Sequence, residues 1–401
     1  MKILVINAGS SSVKYQLIDM SNDKLLAKGI CDRIGIEGGN FKHQVEGRDD
    51  YKIQVPMKNH SEAIQLMVKT LTDPELGVIS SLSEIGAVGH RVLHGGEKFS
   101  GSVVVNDQVI EAIEECCELG PLHNPHNLTG IRACEEIMPG VPQVAVFDTG
   151  FHQTMPKYAY LYALPYEYYE KYKIRRYGFH GTSHRYVTLR AAAMLGKKPE
   201  ELNIVTCHLG NGSSIAAVQG GKCLDTTMGV TPLEGIIMGT RCGSIDPAIV
   251  PLIMKKEHLT PDEMDTVMNK KSGILGVTGG VTSDNRDIES GAKNGNERYQ
   301  LVEAMLCHQL TKYIGGYAAA MGGVDAIVFT GGIGENNPHY RARVAKKLEF
   351  LGVKINDEVN DAAKRNGQEV DISTPDATVK MLVIPTNEEL MIARDTYELC
   401  K

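Results

Sequence analysis

Two short turns about two hundred residues apart constrain this chain more than any other feature of it. The first is Asn7-Ala8-Gly9-Ser10-Ser11-Ser12-Val13-Lys14, set between Ile3-Leu4-Val5-Ile6 and Tyr15-Gln16-Leu17-Ile18-Asp19. The second is His208-Leu209-Gly210-Asn211-Gly212-Ser213-Ser214, set between Asn203-Ile204-Val205-Thr206-Cys207 and Ile215-Ala216-Ala217-Val218. The apolar flanks read as strands, so each turn joins a hairpin. Backbone N–H groups, the hydroxyls of Ser10 and Ser12, and Lys14 form a cradle suited to phosphate oxygens. A surface hairpin also carries Gly and Ser, but the lysine and the recurrence favour phosphate. Val144 to Gly150 and Ala326 to Gly332 are a further pair, each an apolar strand ending in a polar-glycine turn. These features together predict a diverged internal duplication: two α/β lobes of similar topology, each pointing a hairpin and a glycine turn at a shared cleft.

A length of 401 residues suits two such lobes, each with its own core. We place the first at 1–150 and the second at 151–386. The expected strands of the first lobe are 3–7, 13–19, a polar strand near 41–55, and 87–91, with helices over 60–72 and 107–119. The second lobe ends in the strand Lys380–Ile384. A helix over 387–401, capped by Thr386 or Asn387, then returns to complete the first lobe. No long linker appears, so a hinge is expected. The net charge of −7 argues against nucleic-acid and anionic-membrane partners. The chain is expected to enter a strand at Ile3 without a secretory leader, and the apolar run Tyr313–Gly334 reads as a buried helix and strand. Nine scattered cysteines without a CxxC predict reduced thiols in a cytoplasmic protein.

The remaining polar clusters suggest anion chemistry. Arg91 stands where a strand runs into Gly95-Gly96, a position suited to forking a carboxylate or phosphate; a surface salt bridge is the alternative. Asp148 ends a strand and reads either as a Mg²⁺ organiser or as a turn cap. His180, in Tyr177-Gly178-Phe179-His180-Gly181-Thr182-Ser183-His184, reads as a donor to developing phosphoryl charge or as a satisfied core histidine. Arg241, on a glycine-flanked loop, would complete a clamp with Arg91. The stretches 283–287 and 329–337 would complete a nucleotide pocket. No P-loop, dinucleotide fingerprint, HExxH or nucleophile elbow is present.

The chain resembles the acetate kinase family, within the acetate and sugar kinase, heat-shock chaperone and actin superfamily. The motifs carrying the resemblance run from the first strand to the final helix. They are NAGSSSVKYQL (7–17), HRVLHGG (90–96), VFDTGFH (146–152), YGFHGTSH (177–184), HLGNGSS (208–214), MGTRCGSIDP (238–247), FTGGIGENN (329–337) and PTNEEL (385–390). The resemblance implies two lobes of ribonuclease H-like (actin-like ATPase) topology around a nucleotide cleft, and a homodimer. It also implies Mg²⁺-dependent transfer (Mn²⁺ being an alternative) between ATP and acetate, giving ADP and acetyl phosphate. By motif, Asn7 and Glu388 would position the metal and Lys14 would meet nucleotide phosphate. Arg91 would grip the acceptor carboxylate, Asp148 would be the active-site carboxylate, and His180 and Arg241 would stabilise the transition state. His208, Leu209, Gly210, Asn211 and Gly212 would hold phosphates. Asp284, Asn285 and Arg286, with Gly332, Ile333, Gly334, Glu335 and Asn336, would hold the nucleoside. Leu93, Leu122, Phe179 and Pro232 would enclose the methyl group, Leu93 standing where the family commonly has Val.

Acetate is ionised near neutral pH and needs no general base. Asp148 is therefore expected to organise Mg²⁺ and its waters. Neutralising cations and lobe closure would support direct in-line transfer. A propionate or butyrate kinase with the same machinery, a nucleotide-switch protein and a non-catalytic acid sensor are the competing readings. The cation clamp disfavours the switch, and the retained Asp148 and Glu388 disfavour the sensor.

Overall fold

The computed structural model describes residues 1–121, 123–364 and 367–401. The chain forms two compact units, Met1–Gln153 with Asn387–Lys401, and Thr154–Thr386.

In the first unit the strands are β1 (Lys2–Ala8), β2 (Ser12–Asp19), β3 (Lys24–Asp32), β4 (Asn40–Gln44), β5 (Tyr51–Gln54), β6 (Ile85–Val92), β7 (Val103–Val104) and β8 (Gln143–Phe147). They form one sheet in the order β5-β4-β3-β2-β1-β6-β8-β7. β1 pairs antiparallel with β2, placing Asn7 opposite Lys14, and parallel with β6. Both faces of β1 are covered, which explains its unbroken apolar run. Leu4 and Ile6 pack with Ile64 and Met67 of helix His60–Leu71 and with Cys134 of helix Asn124–Ile137. Ile3 and Val5 pack with Ile392 and Ala393 of helix Glu388–Cys400. Full burial of each such side chain is worth about 1.5–3 kcal/mol. Gly89 of β6 lets this last helix approach: a Cβ there would lie 2.7 Å from Ile392 Cγ2.

The polar strand expected near 41–55 is instead the hairpin β4–β5, because Gly47 takes a left-handed φ of 77° and reverses the chain. The helix expected over 107–119 ends at Glu115. Helix Asn124–Ile137 was not foreseen: its apolar spacing is weak, and its clearest signal is Pro125 in the first turn.

The second unit holds β9 (Asn203–Leu209), β10 (Ser213–Gln219), β11 (Lys222–Thr226), β12 (Ala326–Thr330), β13 (Val370–Asp371) and β14 (Lys380–Val383). Their order is β11-β10-β9-β12-β14-β13. Leu306, Leu310 and Ile314 of helix Glu297–Ala320 pack on Val205, Ile215 and Ile327. No helix among the described residues is long and apolar enough to cross a membrane.

The series β3-β2-β1-β6-β8 and β11-β10-β9-β12-β14 share one plan: three antiparallel strands, then two parallel to the first, which is the ribonuclease H-like arrangement. Each series is closed by an antiparallel edge strand, β7 or β13. The duplication is therefore real, but one proposed pairing is corrected. β12 corresponds to β6, and β8 corresponds to β14. Extra helices between β11 and β12, such as Ile249–Glu257 and Asn285–Lys293, shift the second copy and make equal spacing a misleading guide.

Candidate active site

In the first unit, the turn between β1 and β2 closes through Gly9 N–H donating to Ser12 O at 2.7 Å. Asn127 ties this turn to the end of β6: its Nδ2 donates to Ala8 O at 2.8 Å, and its Oδ1 accepts from Leu93 N at 3.0 Å. Asn124, one helical turn earlier and fully buried, brackets His94 through both its backbone groups. Neither asparagine was singled out from the sequence. The i, i+3 spacing in Asn124-Pro125-His126-Asn127, at a proline-started helix, is the signal that could have revealed them.

Arg91 and Asp148 form a two-pronged ion pair, Nε to Oδ1 at 3.0 Å and Nη2 to Oδ2 at 2.7 Å. Neighbouring parallel strands create it, with Asp148 N–H donating to Val92 O at 2.9 Å. The Asp148 side chain is 1% exposed and that of Arg91 27%. The Asp148 charge holds the guanidinium firmly protonated. Both Asp148 oxygens thus accept from Arg91 and fix its orientation.

Glu388 opens helix Glu388–Cys400, which Asn387 caps by accepting from Leu390 N at 3.0 Å. Part of the Glu388 side chain stays accessible, but its Oε1 is enclosed without a hydrogen-bond partner. Burial pushes its carboxyl up to about 7; Asp148 and Glu389 act in the same direction, and Arg91 and Lys14 oppose. Asn7, Lys14 and Glu389 line a cavity of about 260 Å³. An enclosed carboxylate oxygen without a donor, near a second carboxylate and an amide, suits a hard cation that keeps several waters. Among the described residues no set of three His, Cys, Asp or Glu could hold a metal, so a closed protein cage is not built there. Glu388→Gln should make the metal-free protein more stable at pH 8 by about 1–3 kcal/mol, since an unpartnered buried charge is removed. Mg²⁺ should raise the melting temperature of the wild type and leave that of the variant unchanged. A metal-free variant that melts below the wild type would contradict this.

In the second unit, His180 takes a left-handed φ of 58°, rare for a side chain of its size, at the start of helix Gly181–Met194. Its Nδ1 lies 2.8 Å from Ser214 Oγ, which also meets His184 Nε2 at 2.8 Å. The His180 ring stacks on His208 at 4.2 Å between centroids. His208 Nδ1 meets Ser183 Oγ at 2.8 Å, and Ser183 Oγ lies 2.7 Å from Thr386 Oγ1. His208, on β9 just before the Gly210–Gly212 turn, is therefore a packing partner of His180. Arg241 Nη1 donates to Pro232 O at 3.0 Å, and no described carboxylate forms an ion pair with it. Burial lowers its pKa. A Cβ on Gly212 would lie 3.5 Å from both Arg241 Nη1 and the His180 ring. The Gly210–Gly212 turn, Arg241 and His180 therefore converge.

A cavity of about 500 Å³ opens beside that turn. Of the predicted nucleotide residues, Gly210, Asn211, Asp284, Asn285, Arg286, Gly332, Ile333 and Asn336 line it. Asp284 caps helix Asn285–Lys293 and pairs with Arg286, which holds its carboxyl at about 2. Three further predicted residues do not line it, and their surroundings differ. Leu209 is a core residue at 1% exposure. Gly334 faces Phe329 and Cys207. The Glu335 carboxylate accepts from Gly331 N at 2.8 Å and Thr386 N at 3.3 Å, and so braces the glycine turn. Ser283 and Asn337, within the stretches expected to complete the pocket, also line the cavity, as do Gly239 and Ile274, which were missed. A Cβ on Gly239 would run into Asn211 Oδ1, so a larger residue there would displace the Asn211 side chain from the cavity wall. Ser10, Ser12 and Lys14 lie on the β1–β2 hairpin of the first unit.

Of the methyl-pocket residues, Leu93 and Phe179 are buried at 7% and 1% exposure, and Pro232 is half-buried. Leu122 lies outside the described residues.

The model of the acetokinase family matches residues 2–394. The chain belongs to the acetokinase family. An acetate kinase of Methanosarcina acetivorans is 60% identical over 401 residues, covering 100% of this chain and 97% of that protein. The solved acetate kinase of Porphyromonas gingivalis superposes with a TM-score of 0.96 at 48% identity, covering all of both chains. A propionate kinase from Francisella tularensis superposes with a TM-score of 0.92 at 40% identity, covering 99% of each. The matched residues thus include every motif that builds the two residue sets.

Proposed function

We propose that the protein is an acetate kinase, moving the γ-phosphoryl group of ATP to acetate and back, with Mg²⁺. The observation that carries this is the contrast between two arginines. Arg91 is fixed by Asp148 with one edge still accessible, a geometry for gripping a planar carboxylate. Arg241, without a carboxylate of its own, stands with His180 beside a glycine turn, a geometry for phosphoryl oxygens.

In this reading Arg91 orients the acceptor anion, whose oxygen attacks the γ-phosphorus in line while the bond to ADP breaks. No proton is transferred, so no base is required. Arg241 and His180 meet the charge on the phosphoryl oxygens, and Lys14 meets nucleotide phosphate. Asn7 and Glu388 would hold Mg²⁺, which supplies charge neutralisation to the phosphates. The glycine turns and the 500 Å³ cavity receive the nucleoside. Free cysteines support a reducing cytoplasmic setting. Helix Ile249–Glu257, with no buried residue and with Ile249 and Leu252 exposed, supports a homodimer. A coupled assay with ATP and a series of short carboxylates tests the activity; no turnover with any of them would overturn it.

A propionate kinase is the second reading, favoured by the superposition on the Francisella protein. Leu93 discriminates the two. If it walls the methyl pocket, acetate is preferred over propionate, butyrate is poor, and Leu93→Ala raises the propionate-to-acetate ratio of kcat/KM. One methylene of pocket volume is worth about 1–3 kcal/mol of discrimination. If Leu93 serves only the core, the variant loses stability and keeps the ratio.

A further inference from the structure

We propose that Asn337 reads the nucleobase of the phosphoryl donor, through a hydrogen bond from its Nδ2 to a ring nitrogen of the purine. This rests on the nucleotide reading of the cavity given above. Asn337 lines that cavity and is 2% exposed, and its Nδ2 has no hydrogen-bond partner. Its Oδ1 accepts from Tyr340 N at 3.3 Å. That bond settles the orientation of the amide: the oxygen is committed, so the nitrogen is the donor. A buried amide donor without an acceptor is unfavourable unless a ligand supplies one.

The chemistry of the neighbourhood points to the base. Tyr340, itself 1% exposed, also donates its hydroxyl to Asn285 Oδ1 at 2.8 Å. One buried tyrosine thus occupies the amide oxygens of two cavity residues and leaves amide N–H groups as the free polarity. Beside them stand the apolar Ile274, 2% exposed, and the half-buried Ile333. A flat group carrying in-plane lone pairs, such as a purine, fits apolar side chains and amide donors together. A phosphate does not, since Arg286, the cationic side chain lining this cavity, is already paired with Asp284, while Arg241 and His180 gather at Gly212. Ribose hydroxyls are donors as well as acceptors and do not specifically demand an amide whose oxygen is already taken.

Asn337 has a second duty that the test must separate. Its Oδ1 caps helix Pro338–Lys347. Asn337→Asp and Asn337→Ser both keep a capping oxygen, and neither carries the amide donor. Both variants should melt close to the wild type while the KM for ATP rises by about three- to tenfold, with kcat for acetate little changed. Binding of 1-deaza-, 3-deaza- and 7-deaza-ATP should show which ring nitrogen is read. One analogue should bind the wild type more weakly by a similar factor and be indifferent to the substitution. An unchanged KM for ATP in both variants, in a wild type that turns over ATP and acetate normally, overturns this inference and leaves the phosphotransfer reading intact. So does a loss that is the same for ATP and all three analogues. A wild type that does not use ATP overturns both.

Discussion

Arg91→Ala is expected to lose on the order of 2–5 kcal/mol in kcat/KM for acetate, a loss typical of removing one partner from a buried charge pair. Two causes add. The acceptor anion loses its planar fork, and Asp148, 1% exposed and bonded through both oxygens to Arg91, is left as an uncompensated charge. The second cause should also lower the melting temperature, which the first cannot do. Arg91→Lys keeps a cation but loses the fork, so it should recover stability better than it recovers acetate kinetics. The measurements are initial rates against acetate at saturating ATP, and a thermal melt. A normal acetate KM and turnover in Arg91→Ala would remove Arg91 from the acceptor site and leave it a structural ion pair.

Arg241→Ala and His180→Ala should each lose about 10²–10³ in kcat, as single donors to developing charge do, with a much smaller change in ATP affinity. The geometry supports the split. Both groups converge on Gly212, at the edge of the nucleoside cavity that Gly210 and Asn211 form, while most of its lining lies on other segments, 283–286 and 332–337. For His180 the imidazole is also held by Ser214, so Ser214→Ala should lower kcat in the same direction but less, by misorienting the ring. Direct ATP binding by calorimetry, set beside steady-state kcat, decides the matter. An ATP dissociation constant that weakens in step with kcat would make both residues ground-state binders.

Much of this architecture was legible because it depends on local patterns. The hairpins β1–β2 and β9–β10 announce themselves by apolar flanks and Gly-Ser turns, and the family motifs fix where the charged side chains stand along the chain. What escaped depends on distance. Nothing local to Arg91 says that both its prongs go to Asp148, since that pairing follows from β6 and β8 being parallel neighbours. Nothing local to Glu335 says that its carboxylate braces Gly331 and Thr386. Asn124 and Asn127 look like ordinary helix-start residues until the turns they bracket are in view. Leu209 was placed in a phosphate turn by its neighbours, although strand alternation turns its side chain into the core. The mispaired repeat had the same origin: insertions change spacing along the chain and leave strand order untouched.

The helix Glu388–Cys400 that covers one face of the first sheet has a consequence for the order of events during synthesis. Ile3, Val5, Ala87, Val144 and Val146 emerge from the ribosome early, but their cover is encoded after the whole of the second unit. At about 5–20 residues per second, that face waits on the order of ten seconds or more for its partner. During this interval the nascent first unit presents an apolar sheet surface of the kind that chaperones bind, while the second unit has everything it needs to fold. The segment that ends the wait also carries Glu388, so sealing the core and completing the metal ligands would be one event. A nascent chain released before residue 388 would keep the nucleotide cavity and lack a carboxylate that the proposed chemistry requires.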